Sequence, residues 1–313
     1  TFSIDSVFQK TVPYYFYRQE ADGSFSDGSA CGNDTASERR MYRRYMIDCI
    51  CYWAKEYHID GFRFDLMGVL DIDTMNVIAE RLKEIRPDIY LYGEGWNGGP
   101  SSLAEEKRAF KASAKKMPGI GMFNDDIRDT IKGSVFYDDH LGFVNGGTHL
   151  ENALRYGITG AVAHPQVDYD AYGSKPWAKE PGQSINYVSC HDNYTLWDKL
   201  SVSCPEASEE KKKAMNRLCA AIVFTSQGVP FIQAGEEFLR SKPLPEKKGF
   251  AENSYNMPDA VNSIKWDNIH EYPDMIAYYK GLMALRKAHP VFRMQSEAEM
   301  TQNLCFLSDT PEN

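Results

Sequence analysis

No C-x-x-C pair and no finger-type spacing occurs among the 7 cysteines, at 31, 49, 51, 190, 204, 219 and 305, so zinc-finger and dithiol-redox readings fall away. Nor is there an apolar run long enough to cross a bilayer as a helix, a secretory leader or a lipidation motif. The chain opens on Thr1, so the want of a leader decides nothing about targeting. Positive charge is not in excess: 35 Lys and Arg face 44 Asp and Glu, a formal charge of -9, which disfavours nucleic acid and anionic membrane as partners. Short-period repeats and low-complexity linkers are absent too.

What remains is a globular composition. With 313 residues, 42% of them hydrophobic, the chain can build a sizeable core. Aromatics reach 13%, including 19 Tyr and 5 Trp, whose flat faces and polar tips suit sugar rings as a neutral substrate. The odd cysteine count, with several members inside apolar segments, favours free thiols in a reducing compartment and hence a cytoplasmic location, secretion without disulfides being the alternative.

The chain is organised around Ile59-Asp60-Gly61-Phe62-Arg63-Phe64-Asp65-Leu66-Met67. As a strand this run puts Arg63 and Asp65 on one face and Phe62 and Phe64 on the other, so a cation is held beside a carboxylate at a strand end. Such a pair is costly in a core and useful in a site, because the cation keeps the carboxylate ionised and oriented.

Residues 1–32 are aromatic and turn-rich, an irregular surface excursion. Thr35-Ala36-Ser37-Glu38 has capping-box form, and Tyr42, Met46, Cys49, Ile50, Trp53 and Tyr57 follow at helical spacing, which predicts an amphipathic helix packed onto the core. A second helix is predicted over 71–86, ended by Pro87. Strands are predicted at 59–65, 89–92, 119–123, 184–190 and 229–233, and each runs into a polar group: Asp65, Glu94, Asn124-Asp125-Asp126, His191-Asp192-Asn193 and Gly235-Glu236-Glu237. About fifty residues after Asp126 show no clear period and read as an insertion that shapes a site. Helices are predicted over 209–225 and 272–288, and 303–308 reads as the first strand of a C-terminal β domain.

Strand and helix alternate, with polar residues at the strand C-termini, as in a parallel (β/α)8 TIM barrel. Only five such strands are present of the eight a closed barrel needs, so the expectation is residues 1–295 as the C-terminal portion of a barrel and 296–313 as a truncated β domain.

In such a barrel Asp65, Glu94 and Asp192 converge on one mouth. Arg63 stands beside Asp65 and His191 beside Asp192, whereas Glu94 lies between two glycines next to Trp96; Glu94 is therefore the expected acid and base, with a carboxyl raised toward neutrality, and Asp65 the nucleophile. Glycoside hydrolysis divides its labour in this way, and a separation of about 5–5.5 Å between the two groups gives retention of configuration.

Gly61-Phe62-Arg63-Phe64-Asp65, Gly93-Glu94-Gly95-Trp96 and His191-Asp192-Asn193, in that order, resemble three short motifs of the α-amylase superfamily of glycoside hydrolases. Cys31-Gly32-Asn33-Asp34, Asp65-Leu66-Met67-Gly68, Phe123-Asn124-Asp125, Thr195-Leu196-Trp197-Asp198-Lys199 and Glu252-Asn253-Ser254-Tyr255-Asn256 narrow the resemblance to type I pullulanases, which cut α-1,6 branch points in pullulan and branched α-glucans. The resemblance implies Asp65 as nucleophile, Glu94 as acid/base and Asp192 as stabiliser of the transition state. It implies Arg63, His191 and Asn193 as substrate contacts, with Trp96 and Tyr255 as aromatic ones. No cofactor is implied for the chemistry; a structural calcium is implied as a family habit, although no EF-hand run is present.

The superfamily motif ending in Tyr-Asn-His and the upstream Tyr-Asn-Trp-Gly signature are missing. The chain is therefore expected to be a fragment that depends on the N-terminal part of the same enzyme and has little activity alone. Rival readings are an α-1,4-acting amylase or neopullulanase, a magnesium-dependent enolase-type barrel and a non-catalytic glucan-binding remnant.

Overall fold

The computed structural model describes residues 5–172, 175–245 and 247–307, in two compact units, 1–123 with 177–179 and 124–176 with 180–313. Helices alternate with five short strands along the chain, and the ladders within each unit are parallel.

In the first unit helix α1, Arg40–Glu56, precedes strand β1, Gly61–Phe64; helix α2, Ile72–Ile85, precedes β2, Tyr90–Gly93; and β3 is Ile120–Phe123. Strands β1 and β2 pair in parallel from Gly61 against Tyr90 to Phe64 against Gly93, and β2 pairs with β3 from Leu91 against Ile120 to Gly93 against Met122. Asp71 caps α2 by accepting from Thr74 N at 2.9 Å, and Met75, Ile78 and Leu82 bury the stripe that the helical period marks out.

The predicted capping box is not used. Helix α1 starts at Arg40 with no side-chain cap, because Glu38 pairs with the buried Arg18 at 2.7 Å and the Ser37 hydroxyl accepts from Asp71 N at 2.9 Å. Arg18 also donates to Val69 O at 3.0 Å, which ties the supposed surface excursion into this unit. The predicted stripe of α1 is packed only in part: Tyr42, Met46, Cys49 and Ile50 are half-buried and Trp53 and Tyr57 exposed, while off the stripe Ala54 is buried and Met41, Tyr45 and Tyr52 are exposed.

In the second unit the stretch read as an aperiodic insertion folds into helices. Asn124 accepts from Ile127 N at 3.2 Å to start α3, Asp125–Lys132, so Asp125 and Asp126 lie in a first helical turn; α4 is Glu151–Ile158. Ile127, Ile131 and Leu154 from this stretch pack with Val188, Leu200, Cys219 and Val223 in one apolar cluster. Strand β4, Ser184–Asn186, pairs in parallel with β5, Val229–Pro230, both shorter than predicted. Helices α5, Leu196–Ser203, α6, Glu209–Thr225, and α7, Pro273–Ala288, complete the frame, with Tyr279 and Met275 of α7 packed on Ala220 and Phe224 of α6. The last helix, α8, is Glu297–Asn303. Residues 304–307, part of the predicted C-terminal strand, form none, and Ser308 lies outside the described residues. All 7 cysteines are free.

Candidate active site

The register of β1 and β2 carries past their last paired residues, so Asp65 and Glu94 leave the ladder together. Glu94 N donates to Phe64 O at 3.2 Å, and Gly68 N donates to Glu94 O at 3.0 Å, which clamps the Glu94 backbone between β1 and the turn after it. Arg63 points into the same space and forks: one guanidinium nitrogen lies 2.5 Å from Asp65 Oδ1 and the other 2.9 Å from Glu94 Oε1. The second Glu94 oxygen, Oε2, accepts from Leu66 N at 2.7 Å. Arg63, Asp65 and Glu94 are thus one hydrogen-bonded group.

This corrects the reason given for separating the two carboxylates. Arg63 serves both, so Glu94 is not the carboxylate without a cation. What distinguishes them is access: the Asp65 side chain is 74% exposed and that of Glu94 10%. One is open to a reacting carbon; the other is enclosed.

Glycines make the enclosure possible. A Cβ on Gly95 would lie 2.7 Å from both Lys111 N and Met122 Sδ, and one on Gly68 would lie 2.3 Å from Trp96 O. Trp96 is half-buried, its ring 6.4 Å from that of Phe123, so packing contributes to its place.

The second unit holds the other predicted residues in the loop after β4. His191 Nε2 lies 3.7 Å from Asp192 Oδ2, and their side chains are 67% and 50% exposed. Asn193 takes a left-handed backbone, φ 61°, which an asparagine side chain tolerates. Its carbonyl accepts from Lys242 Nζ at 2.7 Å. Tyr255 stands out from its loop, 81% exposed.

Supporting residues here had no individual role assigned from sequence, although Asp198 lies in the motif at 195–199 and Glu236 in a strand-end group. Asp198 is buried and accepts from Lys242 N at 2.8 Å and Ser241 Oγ at 2.5 Å; burial raises its carboxyl above the usual range. Burial pushes the Lys242 ammonium down, with Asp198 opposing. Glu236, read as part of a strand-end polar cluster, is instead buried: Ser189 Oγ donates to its Oε2 at 2.5 Å, and the Tyr279 hydroxyl lies 3.2 Å from its Oε1. Burial pushes Glu236 up to about 7. Burial also raises the Cys190 thiol. The signal for Glu236 was its place between apolar Phe231-Ile232 and Phe238-Leu239, where a carboxylate must find donors or keep its proton.

Among the described residues, Cys190, His191 and Asp192 form the one group of three side chains able to ligate a metal. Thiol and imidazole donors do not suit calcium, which takes oxygen.

Carboxylates just beyond the ends of parallel strands stand where a (β/α) barrel places its chemistry. No protein-family model matches the chain. Individual proteins do. The pullulanase of Bacillus subtilis strain 168 is 44% identical over 300 residues, covering 96% of this chain and 40% of that protein. The chloroplastic pullulanase 1 of Arabidopsis thaliana is 36% identical over 388 residues, covering 99% and 39%. A crystal structure of the Paenibacillus barengoltzii pullulanase, in complex with maltohexaose and α-cyclodextrin, superposes with a TM-score of 0.91 at 48% identity, covering 99% of this chain and 46% of that one. The chain is a homologue of the pullulanases along nearly its whole length, with the mixed α/β, parallel-strand fold of a partial barrel. It spans about two fifths of the length of these curated relatives, 40% and 39%.

Proposed function

We propose that this chain carries the catalytic residues of a retaining hydrolase that cleaves α-1,6 branch linkages in α-glucans. The observation that carries the reading is the Arg63 fork, which sets an exposed Asp65 beside an enclosed Glu94. Asp65 attacks the anomeric carbon while Glu94 delivers a proton to the departing glycosidic oxygen; Glu94 then takes a proton from the water that hydrolyses the glycosyl ester. Before Glu94 can carry that proton its contact with Arg63 must loosen, which leaves the guanidinium to Asp65. Asp192 stabilises the developing positive charge at the ring, and His191, Asn193, Trp96 and Tyr255 hold sugar hydroxyls and faces. The chemistry uses no cofactor. The α-glucan substrate is supported by the relatives, whose crystal structures hold maltooligosaccharides. Residues 1–295 serve as the barrel portion.

The test uses a chimaera in which this chain replaces the matching segment of the Bacillus subtilis relative. Incubated with pullulan, it should release maltotriose, and its Asp65→Asn variant should release none. A folded chimaera that yields only α-1,4 cleavage products supports the amylase reading instead. One that binds glucan and cleaves nothing supports the binding remnant.

A further inference from the structure

The loop after β4 does more than present His191 and Asp192. Cys190, the residue before them, turns its thiol to the same side, so that one donor atom of each of the three residues lies within 4.8 Å of the other two. Consecutive residues in extended backbone send their side chains to opposite sides. Here the chain bends through residues 191–193, Asn193 has a positive φ, and the Cys190 thiol lies 3.7 Å from the Asp192 carbonyl, which curls the loop around it.

We propose that Cys190, His191 and Asp192 bind a borderline-soft divalent transition ion of the zinc class, with the fourth position left to water. The donor set is sulfur, nitrogen and oxygen, which such ions accept and calcium or magnesium do not. Tetrahedral bonds of about 2.0–2.3 Å require donors closer together than 4.8 Å, and the exposure of His191 and Asp192 lets both side chains close by rotation. Thiol and imidazole are anchored on adjacent residues, so little chain has to be ordered. On the reading proposed above, an ion here occupies the two side chains meant for the sugar and competes with glucan. The site is then inhibitory.

Cobalt(II) tests the binding without any hydrolysis. Titrated with Co2+ under reducing conditions, the chain should develop a thiolate-to-cobalt charge-transfer band together with the visible bands of a tetrahedral ion, and Zn2+ should bleach both. Cys190→Ser should abolish the charge-transfer band and weaken binding by at least about tenfold. His191→Ala and Asp192→Asn should each weaken it measurably, while the exposed pair Cys31→Ser and Cys305→Ser should leave it unchanged. No band in the wild-type chain, or a band that survives in Cys190→Ser, overturns the proposal. In the chimaera, Zn2+ should inhibit and Cys190→Ser should relieve the inhibition; an inactive chimaera fails the catalytic reading while the cobalt spectra still decide the site.

Discussion

Leu66, the residue after the exposed carboxylate, donates its backbone N–H to the enclosed one: Leu66 N lies 2.7 Å from Glu94 Oε2. Leu66 has a left-handed backbone, φ 41° and ψ 47°, unusual for a side chain branched at Cγ, and the turn that imposes it aims the N–H. The position of Glu94 is therefore written into the backbone that follows Asp65.

Arg63 supplies the other half of that arrangement. A lysine offers a point charge where the guanidinium offers two nitrogens at once, so Arg63→Lys should keep one carboxylate contact and lose the other. We expect kcat/KM on pullulan in the chimaera to drop by about 10²–10³, with the denaturation midpoint little changed. Equal activity in the lysine variant would refute the fork as the organising contact.

Gly68 is where the turn after β1 meets the segment carrying Trp96. A methyl group there would stand 2.3 Å from Trp96 O and 2.5 Å from its carbonyl carbon, backbone atoms that cannot rotate aside. Gly68→Ala should cost roughly 1–3 kcal/mol in urea unfolding. Trp96 should shift its fluorescence as its segment is displaced.

Arg286 of α7 bonds three carbonyls near the end of α6: its Nη1 donates to Phe224 O at 2.8 Å and Ser226 O at 2.7 Å, and its Nη2 to Gly228 O at 2.5 Å. Methionine fills similar space and donates nothing, so Arg286→Met should leave these carbonyls short of partners and cost about 3 kcal/mol by chemical denaturation. A neutral outcome would mean that water replaces the guanidinium.

Glu236 makes stability depend on pH. An ordinary glutamate loses its proton near 4.5, while burial holds that of Glu236 until about 7. Between those values the folded chain binds more protons than the unfolded one, so this group lowers stability as pH rises, by up to about 3 kcal/mol across the window. Lys132 is pushed by burial down to about 8 and acts in the opposite sense above that, between 8 and its ordinary 10.5. Glu236→Gln cannot ionise, and its unfolding free energy measured from pH ~5 to ~7.5 should fall less steeply than that of the wild type. Identical slopes would show that Glu236 titrates normally.

Much of the fold was legible because local chemistry and packing agree. Asp71 and Ser208 stand before their helices and the stripe of α2 faces the interior, so period and cap point the same way; in α6 Met215, Cys219 and Ile222 are buried as the spacing predicts, whereas Leu218 is 42% exposed. The Asp65 and Glu94 positions were legible from strand-end logic. Three features were not. The capping-box pattern at Thr35–Glu38 is a local signal that Arg18, seventeen to twenty residues away, outcompetes for Glu38. The aperiodic stretch after Asp126 hides helices of 8 residues each, too short for a period to emerge. And the sharing of Arg63 between Asp65 and Glu94 depends on strand register, which no single run of residues records.

The exposed aromatic residues of α1 bear on how this chain, taken alone, behaves as a solute. Trp53 and Tyr57 lie ring to ring at 4.4 Å beside Tyr52, all three open to water, and among the described residues β1 has a ladder partner on one side only. Two molecules that press these surfaces together both gain, and an open row of strand N–H and C=O groups offers a template for doing so. Concentration itself therefore becomes a variable for this chain taken alone: light scattering along a dilution series should show self-association rising with protein concentration.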